Sequence, residues 1–295
     1  MKVIITGSSG ILGSYFYSKL ASSAKSCIRF DRNNFNGNTL IDSSIFYDMD
    51  TIIHCAANTN VEECEKNPLA AYRDNILLTS LILKSARLNK IKNFIYISST
   101  GVYGSNKTDE PNNELHSTNP TTIHHASKLY SENMVLNFYP EALILRAGWL
   151  FGGSLNSKKN FVANRIREAM KSDVIYSNKD QIGSPTYALD FVDIALELIN
   201  NNYFGIFNIT NHGFVSRYEF VSKIFELCGI NKKVVPVNEE YFSRIANVAK
   251  NESASSLALE AFGYSKLPNW DNALERYIKN EYLNDKLNLL SKHFE

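Results

Sequence analysis

The chain has 295 residues, 44% of them hydrophobic, with 31 basic and 30 acidic side chains and a formal net charge of +1. That length exceeds one simple domain yet is short for two independent ones, so it implies a large core with an appended lobe. The charge balance offers no long-range field to polyanions or anionic membranes, which argues against nucleic acid and membrane as partners.

The chain enters an apolar strand at residues 2–6 without a charged leader and cleavage site, and no apolar run reaches membrane-spanning length. Cys27, Cys55, Cys64 and Cys228 are scattered without a C-x-x-C pair, so a disulfide framework or structural zinc is not expected, and the thiols read as reduced and cytoplasmic. His54 precedes Cys55, but adjacent strand residues point to opposite faces, so no metal site is expected there. Further strand-like runs fall at 27–30, 51–56, 93–98, 142–146 and 205–209, with helical patterns at 11–24, 68–88, 122–138 and 187–199. Strand, helix and strand in alternation predict an α/β fold with a Rossmann-type, doubly wound parallel sheet covered on both faces. The expected division is a dinucleotide-binding domain over 1–150 and a smaller C-terminal substrate lobe over 151–295, with about 186–210 returning to the first core. In the tail, Leu283, Leu287, Leu290 and Phe294 recur at spacings of four, three and four, an apolar stripe that would pack on its own lobe or on a second copy in a homodimer.

The first chemical motif is TGSSGILG, residues 6–13. Gly7, Gly10 and Gly13 follow a strand and open a helix, so the backbone can turn tightly, approach a pyrophosphate and offer it the helix N-terminal amides around Ile11 and Leu12. Three glycines could also be a plain tight turn. Asp31 tips the reading towards a dinucleotide, because it ends the next strand eighteen positions after Gly13, where a carboxylate can bind a ribose hydroxyl. That carboxylate favours NAD; Arg32 beside it would instead meet the 2′-phosphate of NADP.

The glycine spacing, DTIIHCAANTNVEECEKNP at 50–68, YISSTGVYG at 96–104 and ASKLYSE at 126–132 resemble the extended short-chain dehydrogenase/reductase family and, within it, the dTDP-4-dehydrorhamnose reductases. The similarity continues through LRAGWLFGG at 145–153, KDQIGSPTYALDFVD at 179–193 and LPNWDNALERYI at 267–278. It implies a Rossmann-type cofactor domain, a lobe that holds a nucleotide sugar, and NAD(P)H-dependent reduction of a 4-keto-deoxysugar, with epimerases and dehydratases as close relatives. Carried over position by position, it assigns Asp31 to the adenosine ribose, Asp42 to the adenine, and Ala56 and Ala57 to the cofactor cleft. Lys128 would hold the nicotinamide ribose, and Ser99, or Thr100 beside it, the reacting sugar oxygen. Trp149, Gln181 and Thr186 fall in segments near the substrate.

Two departures stand against this pattern. Where the family carries a Tyr as general acid or base, four residues before Lys128, this chain carries His124, and helical spacing keeps His124 on the Lys128 face. His125 lies close to that face, and Tyr103 is a remoter source of a phenol. The Arg-Pro pair that precedes the family's Ser-x-Leu element is missing from AKNESASSL at 249–257. The lost Tyr leaves a second reading open, a catalytically silent cofactor-binding subunit. If the chain is an enzyme, His124 replaces the phenol as proton donor, and the Lys128 ammonium pushes its pKa down.

Overall fold

The computed structural model describes residues 1–31, 34, 41–106, 110–264 and 267–283. Arg32, Leu287, Leu290 and Phe294 lie outside those residues, and the expectations placed on them rest on the sequence alone.

The strands are β1 (Lys2–Thr6), β2 (Ser26–Phe30), β3 (Thr51–His54), β4 (Asn93–Ser99), β5 (Leu143–Ala147), β6 (Trp149–Phe151), β7 (Val174–Asn178), β8 (Ile182–Gly183), β9 (Pro185–Tyr187), β10 (Gly205–Ile209), β11 (Val215–Ser216), β12 (Lys233–Val237) and β13 (Asn251–Glu252). The helices are α1 (Ile11–Leu20), α2 (Val61–Lys66), α3 (Pro68–Tyr72), α4 (Leu78–Leu88), α5 (Ile123–Phe138), α6 (Phe161–Ala169), α7 (Ala188–Asn200), α8 (Arg217–Leu227), α9 (Leu257–Ala261) and α10 (Trp270–Tyr277).

Six strands form one wholly parallel sheet in the order β2-β1-β3-β4-β5-β10. Parallel strands need both faces covered, which is why these segments are nearly continuous apolar runs. One face is packed by α1 and α7, with Phe16, Leu20, Phe191 and Leu198 against Val3, Ile5, Ile97 and Leu145. The other is packed by α4 and α5, with Ile82, Leu83 and Val135 against Ile4, Ile52, Phe94 and Ile144. After β2 the chain crosses back to add β3 on the other side of β1. This reversal opens a crevice beyond the carboxyl ends of β1 and β3, the place where such sheets take a ligand.

A separate core of Phe151, Tyr187, Phe220, Ile224 and Tyr277 joins α6, α8 and α10. Beside it β11, β8 and β13 make a small sheet, which brings residues 251–252 towards the end of the main one. The stretch 178–185 therefore holds a short strand, β8, where the sequence suggests only a loop.

The helix expected over 68–88 is interrupted. Between α3 and α4, Arg73–Leu77 forms a single π turn. Such an insertion rotates the helix phase, and here Asn75 is buried to 1% exposure among otherwise apolar neighbours. The helix expected over 11–24 stops at Leu20, where Ser23 turns its hydroxyl back onto the Lys19 carbonyl.

Beneath the carboxyl ends of β4 and β5 lies a buried ion pair. Arg146 donates from Nε to Glu132 Oε1 at 3.1 Å and from Nη2 to Oε2 at 2.7 Å. Its Nη1 donates to the Tyr103 hydroxyl at 3.0 Å, which donates in turn to Asn208 Oδ1 at 3.0 Å. The cluster ties α5, β5, β10 and the turn after β4 together. Removing one charge leaves the other buried and unpaired, so Glu132→Gln is expected to lower stability by about 3 kcal/mol in urea denaturation. A loss under about 1 kcal/mol would mean that the pair does not hold these elements together.

Candidate active site

At the mouth of β1 the glycines meet separate steric demands. Gly7 has φ +65°, and a β-carbon there would lie 2.8 Å from the Ala56 backbone, so β1 and β3 approach more closely than any side chain permits. A β-carbon on Gly13 would lie 2.2 Å from the Gly7 carbonyl oxygen, so the helix can seat on the turn only without one. Gly10 caps α1 and donates its amide to the Gly7 carbonyl at 2.9 Å, leaving the amides of Ile11 and Leu12 in the helix's first turn beside the crevice. Asp31 folds over the same loop, accepting from Ser8 Oγ at 2.8 Å, the Ser9 amide at 3.1 Å and Ser9 Oγ at 3.2 Å. These features fit a dinucleotide: close backbone approach, open helix amides, and a carboxylate at the end of β2. Asp42 stands exposed further out as the cap of a short turn, accepting from the Ser44 amide.

A chain of hydrogen bonds runs from this loop to α5. The Ala56 amide donates to Thr6 Oγ1 at 3.2 Å, and Thr6 Oγ1 lies 2.6 Å from His54 Nδ1. His54 Nε2 lies 2.9 Å from Thr79 Oγ1, whose proton goes to the Asn75 carbonyl at 2.5 Å. With the Thr79 proton committed, His54 donates from Nε2 and accepts at Nδ1. Burial pushes its pKa down to about 3, so it is a neutral core residue, in keeping with its packing role. Asn75 then grips Asn58, accepting from the Asn58 amide at 2.7 Å and donating to its carbonyl at 3.2 Å and to Ser127 Oγ at 2.8 Å.

The second lone pair of the Asn58 carbonyl takes His124. Nδ1 donates to that oxygen at 2.9 Å, which fixes the tautomer and leaves Nε2 as the nitrogen free for other work. His124 is 6% exposed, and burial holds its pKa well below the ordinary imidazole value, reinforced by His125 and Lys128. Lys128, 4% exposed, carries its ammonium 4.0 Å from the centroid of the Tyr96 ring, and burial brings it down to about 7 against the opposing pull of Glu132. The helical spacing thus delivers both groups to one buried face.

Ser99 ends β4 next to that face, and its oxygen accepts from the Gly101 amide at 3.2 Å. Thr100 turns the other way and donates to the Glu252 carbonyl at 2.9 Å, so of the two hydroxyls Ser99 is the one left for a ligand. Tyr103 is fully buried and bonded to Arg146 and Asn208, so it brings no phenol to the reaction. Trp149 donates from Nε1 to Glu252 Oε2 at 2.8 Å, and the Arg217 guanidinium lies 3.3 Å over its ring. Gln181 accepts the Arg217 amide at its backbone carbonyl. Thr186 is wholly buried and donates to the Ser184 carbonyl at 3.0 Å, which places it in the wall behind Trp149 and corrects its assignment to a ligand surface.

Asn58, Asn75, Glu252 and Arg217 do not emerge from the sequence reading. A lone Asn within the apolar pattern of 68–88 was a usable signal for Asn75; nothing local marks Glu252. Among the described residues no cluster of His, Cys, Asp and Glu could hold a metal, all four cysteines are free, and no helix is long and apolar enough to cross a membrane.

The family model described as RmlD substrate binding domain matches residues 1–283. The dTDP-4-dehydrorhamnose reductase of Mycobacterium tuberculosis strain CDC 1551 / Oshkosh is 29% identical over 283 residues, covering 92% of this chain and 91% of its own. The crystal structure of a dTDP-4-dehydrorhamnose reductase from Clostridium acetobutylicum shares 30% identity, 95% of this chain and 99% of its own, with a TM-score of 0.88. That of the Bacillus anthracis reductase, in complex with NADP, shares 31% identity, 94% of this chain and 99% of its own, with a TM-score of 0.86.

Because the Gly13 contact is between backbone atoms, Gly13→Ala must push α1 off the turn. Overpacking of this kind is expected to cost roughly 1–3 kcal/mol in thermal or urea unfolding. A variant as stable as wild type would show that the seating of α1 does not depend on this glycine.

Proposed function

The chain belongs to the RmlD substrate binding domain family, and from that premise we propose that it is an NAD(P)H-dependent reductase of a nucleotide-activated 4-keto-deoxysugar, of the dTDP-4-dehydrorhamnose reductase type. The observation that carries this reading is the convergence of Ser99, His124 and Lys128 beside an intact dinucleotide cradle. In this reading Gly7, Gly10, Ile11, Leu12 and Gly13 hold the pyrophosphate, Asp31 the adenosine ribose and Asp42 the adenine side. Ala56 and Ala57 line the cleft, and Lys128 anchors the nicotinamide ribose. Trp149 and Gln181 belong to the sugar-nucleotide side, and residues 151–295, apart from about 186–210, form the substrate lobe. The reduced nicotinamide, when bound, supplies the hydride. Ser99 donates a hydrogen bond to the sugar oxygen, and His124 gives that oxygen its proton from Nε2.

Imidazolium is a stronger acid than a phenol, so donation to a developing alkoxide is chemically sound. The requirement falls on the protonation state, because with Nδ1 committed to Asn58 neutral His124 has no proton at Nε2. Since the folded pKa lies well below 6.5, the active form is present at low pH and is lost as pH rises through that value. The same observation supports the second reading, a silent cofactor-binding subunit, in which no imidazolium forms at working pH.

Two outcomes test this. Calorimetric titration is expected to give tighter binding of NADH than NADPH, because the Asp31 carboxylate at the loop repels a 2′-phosphate; tighter NADPH would transfer the selecting role to a neighbouring basic residue. With nucleotide 4-keto sugars, wild type is expected to reduce best at acid pH, His124→Ala to lose at least about tenfold, and His124→Tyr to work into mildly alkaline solution. Equal rates in wild type and His124→Ala would remove His124 from the mechanism, and activity found only with Tyr would establish the silent subunit.

A further inference from the structure

The two departures from the family pattern touch each other. Glu252, in the segment that lacks the Arg-Pro pair, is 5% exposed and directs Oε1 to within 3.7 Å of His125 Nδ1. That oxygen is buried with no hydrogen-bond donor, while Oε2 takes the Trp149 indole. The other edge of the His125 ring lies on the turn that carries Ser99: a β-carbon on Gly101 would fall 2.2 Å from Cε1 and Nε2. The rings of His124 and His125 are 5.0 Å apart between centroids. A carboxylate from the second lobe, two imidazoles and the Ser99 turn thus form one continuous buried group.

We propose that Glu252 and His125 form an interlobe carboxylate–imidazole couple that holds the proton consumed in carbonyl reduction and keeps the His124–His125 pair charged. The inference rests on the reductase reading. In each turnover the carbonyl carbon gains hydride from the reduced nicotinamide, its π pair moves to oxygen, and the oxygen takes one proton from the imidazole pair. The pair then regains its proton from water.

The charges around His125 favour this assignment. Glu252 from β13 and Glu65 from α2 draw a proton to it; Lys128 and burial oppose. His124 has no such carboxylate, only His125 and Lys128 beside it and Lys159 further off, all disfavouring a proton there. Glu252 also faces the Arg217 guanidinium, which lies over Trp149, so part of its charge is already balanced. Thr122 Oγ1, 3.1 Å from His125 Nδ1, steadies the ring in reach of the carboxylate. Glu252 is a positioning residue, acting on the reaction through His125.

Nitrogen-15 histidine NMR titration of wild type, Glu252→Gln and Glu252→Asp, with His125→Gln to assign the signal, decides the couple. Glu252→Gln retains an acceptor for Trp149 but removes the charge. His125 is expected to titrate above His124 in wild type and to fall by about one unit in Glu252→Gln, a tenfold loss of imidazolium. The pH at which reduction of a nucleotide 4-keto sugar fades should fall by the same amount, and Glu252→Asp should restore both. A His125 titration unchanged in Glu252→Gln overturns the couple, and an unmoved rate profile overturns its part in proton supply. A wild type that reduces no such sugar at any pH defeats the reductase reading itself and the supply role with it.

Discussion

Everything at this site depends on how firmly the Asn58 peptide is held. Asn75 takes both its amide and its carbonyl, and His124 takes the remaining lone pair of the same oxygen. That grip exists because the π turn at 73–77 brings a polar side chain into an apolar interior, where leaving it unsatisfied would cost roughly 1–3 kcal/mol. The same asparagine binds Ser127 of α5, and its own carbonyl accepts from Thr79, which receives His54. The cofactor crevice and the reactive helix face are therefore positioned by one hydrogen-bonded unit.

The electrostatics follow from that placement. His124, His125 and Lys128 are three basic groups on two turns of one buried helix face, and burial lowers all three. A phenol at position 124 would be neutral when it carries the proton it donates, so it would add no charge to the Lys128 ammonium. An imidazole does add one, which requires either a compensating carboxylate or a neutral, idle ring. Glu252 is the carboxylate that arrives, from a lobe whose contact with the first domain is made through Thr100, Trp149 and His125.

Much of the fold was legible because parallel strands buried on both faces write themselves as apolar runs: residues 2–6, 93–98 and 205–209 coincide with β1, β4 and β10 to within a residue. The glycine loop was legible too, since close backbone approach excludes other residues at Gly7 and Gly13. Helix spacing placed His124 beside Lys128. What sequence could not give was direction and distance in space. Thr100 and Ser99 look alike in a row of polar residues, yet one bonds the second lobe and the other faces the site. Thr186 lies in a segment that resembles a substrate surface and is buried behind it. Glu252 is 127 positions from His125, and only the small β11-β8-β13 sheet brings them together.

The claim most in need of a direct answer is that this site moves hydride to a sugar carbonyl with an imidazole in place of a phenol. Incubating the protein at mildly acid pH with nicotinamide cofactor deuterated at the transferring position and a dTDP-4-keto-6-deoxysugar, then weighing the product sugar by mass spectrometry, gives that answer. The account predicts one deuterium on the former carbonyl carbon in wild type and a sharply reduced yield in His124→Ala. Unlabelled, unreduced sugar from a protein that demonstrably binds both molecules would contradict it.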